Sequence, residues 1–231
     1  MLLYAITDRS IVGDQPAAQR DGLIALARVW AENGVALAQL REKDLPAEEL
    51  IALAQAMQRA VRDVGATTRI LLNAPPAVAR AAGADGIHLP ASAAAQRFDE
   101  IRNQSISDAA SSTLRSLWIS VACHTQQEIE QARDQNVDCI LFAPVFEKRI
   151  SPRFGGEYSE DRGEYSEDMD TLPGVGLAAL AAACRVAHPV PVLALGGVTA
   201  SNAASCVAAG ASGIAAIRLF HGSPRGWSAL R

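Results

Sequence analysis

The sequence contains four cysteines in 231 residues and no CxxC pair, which leaves neither a disulfide framework nor a thiolate metal site. Cys123, Cys139, Cys184 and Cys206 all lie in apolar or alanine-rich surroundings and are expected as buried, reduced thiols. Positive charge is scarce too. The 21 Lys and Arg are outnumbered by 25 Asp and Glu, for a net charge of −4 and a pI near 5.6. No bulk field exists to gather nucleic acid or an anionic membrane, so any bound anion must be held by a local cluster. No segment reaches the ~18 uncharged apolar residues needed to cross a bilayer. The opening MLLYAITDRS has no basic flank leading into a long apolar run. A cytoplasmic protein with no membrane or nucleic-acid partner is expected.

What is present is a rhythm. Short apolar runs, too brief for helices, recur at Leu2 to Ile6, Ala36 to Leu40, Arg69 to Leu72, Gly86 to Leu89, Trp118 to Ala122, Cys139 to Ala143, Val192 to Leu195 and Gly213 to Ile217. Alanine- and leucine-rich stretches with helical spacing separate them, the first over about Gly22 to Asn33 and the next after Pro46. Pro46, Pro75 and Pro76 sit where helices begin. Gly34, Gly83 and Gly210 sit where they end. The near-repeats AAGADGIHL and AAGASGIAAI each stop a helix at Gly and start a strand three residues later. Strands joined by helices are parallel and need both faces covered. Eight such units in a chain near the ~250 residues of a closed α/β barrel predict one domain over residues 1–231, a (βα)8 TIM barrel. The segment from His221 to Arg231 is short for a closing helix, so one flank is expected to be thinly covered, with surface that a second copy could occupy.

Two stretches break the rhythm. The Ser/Asp-rich segment from Asn103 to Arg115 reads as an exposed loop. Between Lys148 and Pro173 lies an acidic insertion that carries GEYSED twice, at 156 to 161 and 163 to 168. It has too little apolar surface to order itself, and reads either as a duplicated flexible loop or as a lid over the rim that follows strand six.

In a barrel of this kind the active site is built at the C-terminal ends of the strands. Asp8 follows strand one, Asn73 closes strand three, His88 lies within strand four, and Phe146 and Lys148 follow strand six. Gln39, Arg41 and Lys43 alternate at the end of strand two and project to one side, bringing two cations and an amide to a polyanion. In LALGGVTASN, Gly196 and Gly197 follow strand seven, where backbone N–H groups without a neighbouring Cβ can approach a phosphate, and Thr199 or Ser201 can cap the next helix. Arg218, after strand eight, can add a charge-assisted contact to the same phosphate. Histidine is the side chain best suited to moving protons near neutral pH. His124 stands at the rim before Thr125, a candidate N-cap. His88, between Ile87 and Leu89, reads as packed. Cys123 faces away from His124 by strand alternation and is discounted as a nucleophile.

YAITD, QLREK, LLN, GADGIHLP, SVACHTQQE, LFAPVF, PVLALGGVT and GASGIAAI occur in this order across nearly the whole chain. In them the sequence resembles the thiamine phosphate synthase family, which includes the paralogue TenI. The resemblance implies the barrel and a small phosphorylated thiazole as substrate. The synthase condenses a pyrimidine diphosphate with the thiazole phosphate, and Mg2+ assists departure of pyrophosphate. Its pattern has an Asn-Asp pair after strand three and a second Asp beyond the His of strand four. Here those places read Asn73-Ala74 and, in HLPASAAA, about Ala93. Mg2+ is usually anchored by one or two carboxylates, so the resemblance carries over no metal ligands.

At these departures the chain is similar to TenI, which also lacks the carboxylates and has LPS where this sequence has Leu89-Pro90-Ala91-Ser92. TenI isomerises a carboxythiazole phosphate to its aromatic tautomer with no metal or other cofactor. The resemblance makes His124 the general acid and base, with Gly196, Gly197 and Arg218 on the phosphate, and Gln39, Arg41, Lys43 and Asn73 on the rest of the substrate. Retention of Gln39, Arg41 and Lys43, which match the pyrophosphate-binding set, keeps the Mg2+-dependent synthase as the alternative, with Asp8 or the insertion as substitute ligands. A binding protein without turnover is the third.

Overall fold

The computed structural model describes residues 1–90, 92–93, 98–107, 117–149 and 171–230. Each expected apolar run is a strand: β1 (Leu2–Ile6), β2 (Leu37–Leu40), β3 (Arg69–Leu72), β4 (Gly86–Leu89), β5 (Trp118–Cys123), β6 (Cys139–Phe142), β7 (Val192–Ala194) and β8 (Gly213–Ala216). Every strand pairs in parallel with the next, and β8 pairs with β1, so the sheet closes into a barrel in chain order. Helices α1 (Pro16–Glu32), α2 (Ala47–Asp63), α3 (Pro76–Ala81), α4 (Phe98–Ser107), α5 (Gln126–Asp134), α6 (Gly176–Ala187), α7 (Ala203–Ala208) and α8 (Arg218–His221) follow the strands in turn.

Alternation along the strands builds two cores. One lies inside the barrel and includes Tyr4, Ile6, Leu37, Leu71, Cys139, Leu141, Leu193 and Ala215. The other lies between strands and helices, where Leu3, Ile70, Ile87, Ile119, Ile140 and Ile214 meet the apolar faces of the helices. This two-sided burial is why the strands read as continuous apolar runs. In the two near-repeats Gly83 and Gly210 take φ of 60° and 102°, the left-handed step that ends each helix before the next strand.

Three expectations need correction. Helix α1 begins at Pro16, not near Gly22: Pro16 holds the first helical position, and Gly22 lies inside the helix, where a Cβ would run into the Val12 side chain. Asn103 to Ser107 belong to α4, which Asp99 and Glu100 favour at its N-terminus and which Phe98 and Ile101 bury at one-turn spacing. Residues 108–116 of the expected loop lie outside the described residues. The closing helix is short as expected, but its flank is not bare. Phe220 and Trp227 are fully buried, edge to face at 5.2 Å, and Trp30 Nε1 donates to the Phe220 carbonyl at 2.8 Å. Aromatic area replaces helical length.

The cysteines follow expectation in being free, with Cys123, Cys139 and Cys206 buried and Cys184 half-buried. Among the described residues, no helix is long and apolar enough to cross a membrane.

Candidate active site at the barrel mouth

The end of β2 is clamped so that its cations face inward. The Arg41 N–H donates to Thr7 Oγ1 at 2.9 Å, and the fully buried Glu42 carboxylate accepts the Arg9 N–H at 3.0 Å. The Arg9 guanidinium reaches on to Asp44 at 2.7 Å. Glu42 therefore points back into the β1–β2 junction, while Arg41 and Lys43, on the other side of the alternation, are half-buried and exposed respectively. Burial lowers the pKa of Arg41 against the opposing pull of Glu42 and Asp8. Lys43 is pushed down to about 8 by partial loss of water and then by Arg41.

Lys148 joins this pair from across the barrel. It follows β6, which stands opposite β2 in the closed order, and its pKa is lowered by loss of water and by Arg41. Sequence reading placed Lys148 beyond strand six without grouping it with Arg41. The available signal was the strand count: in an eight-stranded barrel, residues past strands two and six face each other across the mouth. Lys148 and Arg149 pair antiparallel with Thr171 and Leu172, so the ends of the expected insertion form a two-stranded ribbon on the rim. Residues 150–170, with both GEYSED copies, lie outside the described residues.

His124 is exposed at the end of β5 and held from both sides. Its backbone N–H and that of Thr125 donate to the Glu128 carboxylate, and Thr125 Oγ1 accepts the Glu128 N–H, which forms the capping box of α5. The ring Nδ1 is 2.7 Å from the Ala143 carbonyl. A carbonyl only accepts, so Nδ1 carries a proton, and in the neutral form of the ring the lone pair is on Nε2. Cys123 beside it is buried, with its thiol pushed up to about 12 by burial, which fits no nucleophilic role.

The remaining candidates sit as follows. Gln39 is buried inside the barrel with Oε1 accepting from Tyr4 Oη, so its carbonyl is already engaged. Asn73 donates its amide to the His88 carbonyl at 3.1 Å, which leaves Oδ1 as an acceptor. Arg218 is exposed as the first residue of α8. Asp8 is buried and caps the turn after β1, accepting from Ser10 N and Oγ at 3.1 and 2.6 Å. His88 is buried and bonded to Ser120, as its flanks implied.

The glycine pair has φ of 90° at Gly196 and 64° at Gly197. The absent Cβ atoms make room for the segment after β6: a Cβ on Gly196 would lie 2.7 Å from Pro144 Cα, and one on Gly197 would meet the Glu147 carbonyl and Phe146. The glycines thus lock the β6 and β7 loops together, which sequence reading had assigned to ligand approach alone. Neither Thr199 nor Ser201 caps α7. Asn202 instead accepts from the Thr199 N–H and donates to the Gly197 carbonyl, fixing the loop. Gly197→Ala is expected to destabilise the fold by about 1–3 kcal/mol, the scale of a strained backbone position, read as a lower urea midpoint. An unchanged midpoint would mean that the loop relaxes freely.

Among the described residues, the donor set at the mouth does not fit a metal. Ala74 and Ala93 offer no ligand, the Asp8 carboxylate is engaged by Ser10, and among the described residues no cluster of three His, Cys, Asp or Glu could hold an ion.

Residues 3–153 and 167–220 match the family model described as thiamine monophosphate synthase (TMP-TENI). The chain is 35% identical over 227 residues to a putative thiamine-phosphate synthase of Geobacter sulfurreducens, covering 96% of this chain and 87% of that protein. It is 31% identical over 230 residues to the thiamine-phosphate synthase of a Roseiflexus species, covering 100% and 82%. In fold it is similar to thiamine phosphate pyrophosphorylase from Pyrococcus furiosus, with a TM-score of 0.67 at 21% identity over 96% of this chain and 88% of that one.

Proposed function

The chain belongs to the thiamine monophosphate synthase family, and from that premise we propose that it isomerises a carboxythiazole phosphate to its aromatic tautomer without metal, with His124 as acid and base. The observation that carries the proposal is the His124 ring, its Nδ1 proton held by the Ala143 carbonyl and its Nε2 lone pair at the exposed end of β5. Nε2 takes the proton from ring carbon C2, the electron pair moves through the conjugated system, and the imidazolium returns the proton to the exocyclic carbon. Charge and atoms balance within the substrate and one side chain. The Ala143 carbonyl favours the transient cation by accepting from Nδ1. Gly196, Gly197 and Arg218 hold the phosphate in this reading. Arg41 and Lys43 take the carboxylate, with Gln39 and Asn73 lining the same floor. No step needs a metal or organic cofactor. Conversion of the non-aromatic tautomer in the presence of EDTA tests the proposal, and no conversion would refute it.

A second reading, condensation of a pyrimidine diphosphate with thiazole phosphate, is favoured by the names of the relatives and by a third cation, Lys148, beside Arg41 and Lys43. Three converging cations suit a diphosphate. The missing carboxylates at Ala74 and Ala93 count against it, and no step through Mg2+ follows from the residues present.

Both readings need Lys43 charged. With its pKa pushed down to about 8, the fraction of ammonium falls as pH rises through that value, so relative to Lys43→Met, whose profile carries the titration of the ligand itself, affinity for inorganic pyrophosphate is expected to decline above about pH 8. A wild-type profile parallel to that of Lys43→Met up to pH 9.5 would remove Lys43 from the anion site.

A further inference from the structure

A chain of hydrogen bonds crosses the barrel interior below the mouth, through residues of four strands. Tyr4 Oη donates to Gln39 Oε1 at 3.2 Å and lies 3.1 Å from Ser120 Oγ, which lies 2.9 Å from His88 Nδ1. All four residues are buried, and the β4–β5 register sets His88 directly opposite Ser120.

Counting protons gives the chain a direction. Tyr4 has one hydroxyl proton, and Gln39 Oε1 receives it. With that proton spent, the Tyr4–Ser120 contact carries a hydrogen bond only if Ser120 donates to Tyr4 Oη, which uses the one Ser120 proton and leaves its Oγ a lone pair for His88. Nδ1 of His88 is therefore the donor. Burial, followed by the charges of Arg41 and Lys43, brings the His88 pKa down to about 3, so the ring holds only that one proton. Nε2 is left with a bare lone pair. It forms no hydrogen bond among the described residues, and it is not one of their sealed, unpartnered buried atoms. With Nδ1 turned to Ser120, Nε2 is the ring nitrogen left over, and the charges of Arg41 and Lys43 act on the ring.

We propose that Ser120, backed by Tyr4 and Gln39, locks His88 in the Nδ1–H tautomer, so that Nε2 is an obligate hydrogen-bond acceptor at the floor of the mouth and a determinant of ligand orientation. A lone pair repels anionic oxygens and welcomes an N–H or O–H group. It turns the phosphate or carboxylate of a ligand toward Arg41, Lys43 and Lys148 and admits only a donor or an apolar edge beside His88. In this role Ser120 and Tyr4 are positioning residues. The inference rests on the mouth taking a phosphorylated heterocycle, and on neither reaction in particular.

The test is read without turnover. In long-range 1H–15N spectra of the unliganded protein, His88 is expected as the Nδ1–H tautomer. Ser120→Ala removes the acceptor, and the proton is expected to move to Nε2. The floor would then offer anions a donor, and inorganic pyrophosphate would bind about tenfold tighter than to wild type, the scale of one hydrogen bond to a charged group. Tyr4→Phe frees the Ser120 proton for Nδ1 of His88, so the Nε2–H tautomer and the tighter binding are expected to appear in that variant as well. An Nε2–H tautomer in the wild type overturns the proposal. So does Ser120→Ala with an unmoved proton, or with pyrophosphate affinity unchanged or weaker, as a purely structural role would give. Should Ser120→Ala not fold, Ser120→Cys, a weaker acceptor, carries the same affinity test.

Discussion

Replacing His124 with alanine is expected to slow metal-free isomerisation by about 10²–10⁴-fold, the usual contribution of a positioned acid and base, while pyrophosphate affinity stays at the wild-type level. The separation follows from position. His124 is fixed by the α5 capping box and the Ala143 carbonyl, while the cations proposed to hold the anion follow β2 and β6. Truncating an exposed ring removes no core packing. A loss in the rate of conversion with no change in pyrophosphate titration is the predicted pattern. Conversion at the wild-type rate by a folded His124→Ala variant would take the proton transfers away from this residue.

Lys148→Met is expected to weaken pyrophosphate binding by about 10–100-fold, as removal of one charge-assisted contact does, with a smaller salt dependence than wild type. Lys148 is a cleaner site than Arg41. Asp8 and Glu42, both buried, lean on the Arg41 charge, so neutralising Arg41 leaves carboxylates without compensation and mixes lost affinity with lost stability. Lys148 reaches Arg41 from across the mouth on the rim ribbon. Calorimetric titration at two salt concentrations reads both effects. Wild-type affinity in Lys148→Met would mean that the anion sits away from the β6 side, on the glycine loop alone.

The barrel was legible because parallel strands buried on both faces cannot hide their apolar runs, and all eight appear within one or two residues of where the pattern puts them. Helix starts were less legible. Gly22 reads as a boundary from propensity, but its reason is the Val12 side chain packed against it, a contact that no local pattern contains. The rim residues could be picked out one by one, since alternation separates Arg41 and Lys43 from Glu42. Their grouping with Lys148 needed closure of the sheet. The chain Gln39–Tyr4–Ser120–His88 was out of reach for the same reason: its members are 116 residues apart at Tyr4 and Ser120 and meet only inside the closed barrel. The glycine pair shows the opposite error. Its position predicted a ligand loop, while the packing also demands glycine there for the close approach of Pro144 and Glu147.

The most direct test is to give one purified sample the non-aromatic carboxythiazole phosphate with EDTA and, separately, the pyrimidine diphosphate and thiazole phosphate with Mg2+. Aromatic product in the first reaction and no thiamine phosphate in the second is the predicted result. Thiamine phosphate formed only with Mg2+, with no isomerisation in EDTA, would contradict the account and send the search for metal ligands to Asp8 and the acidic segment between Arg149 and Thr171.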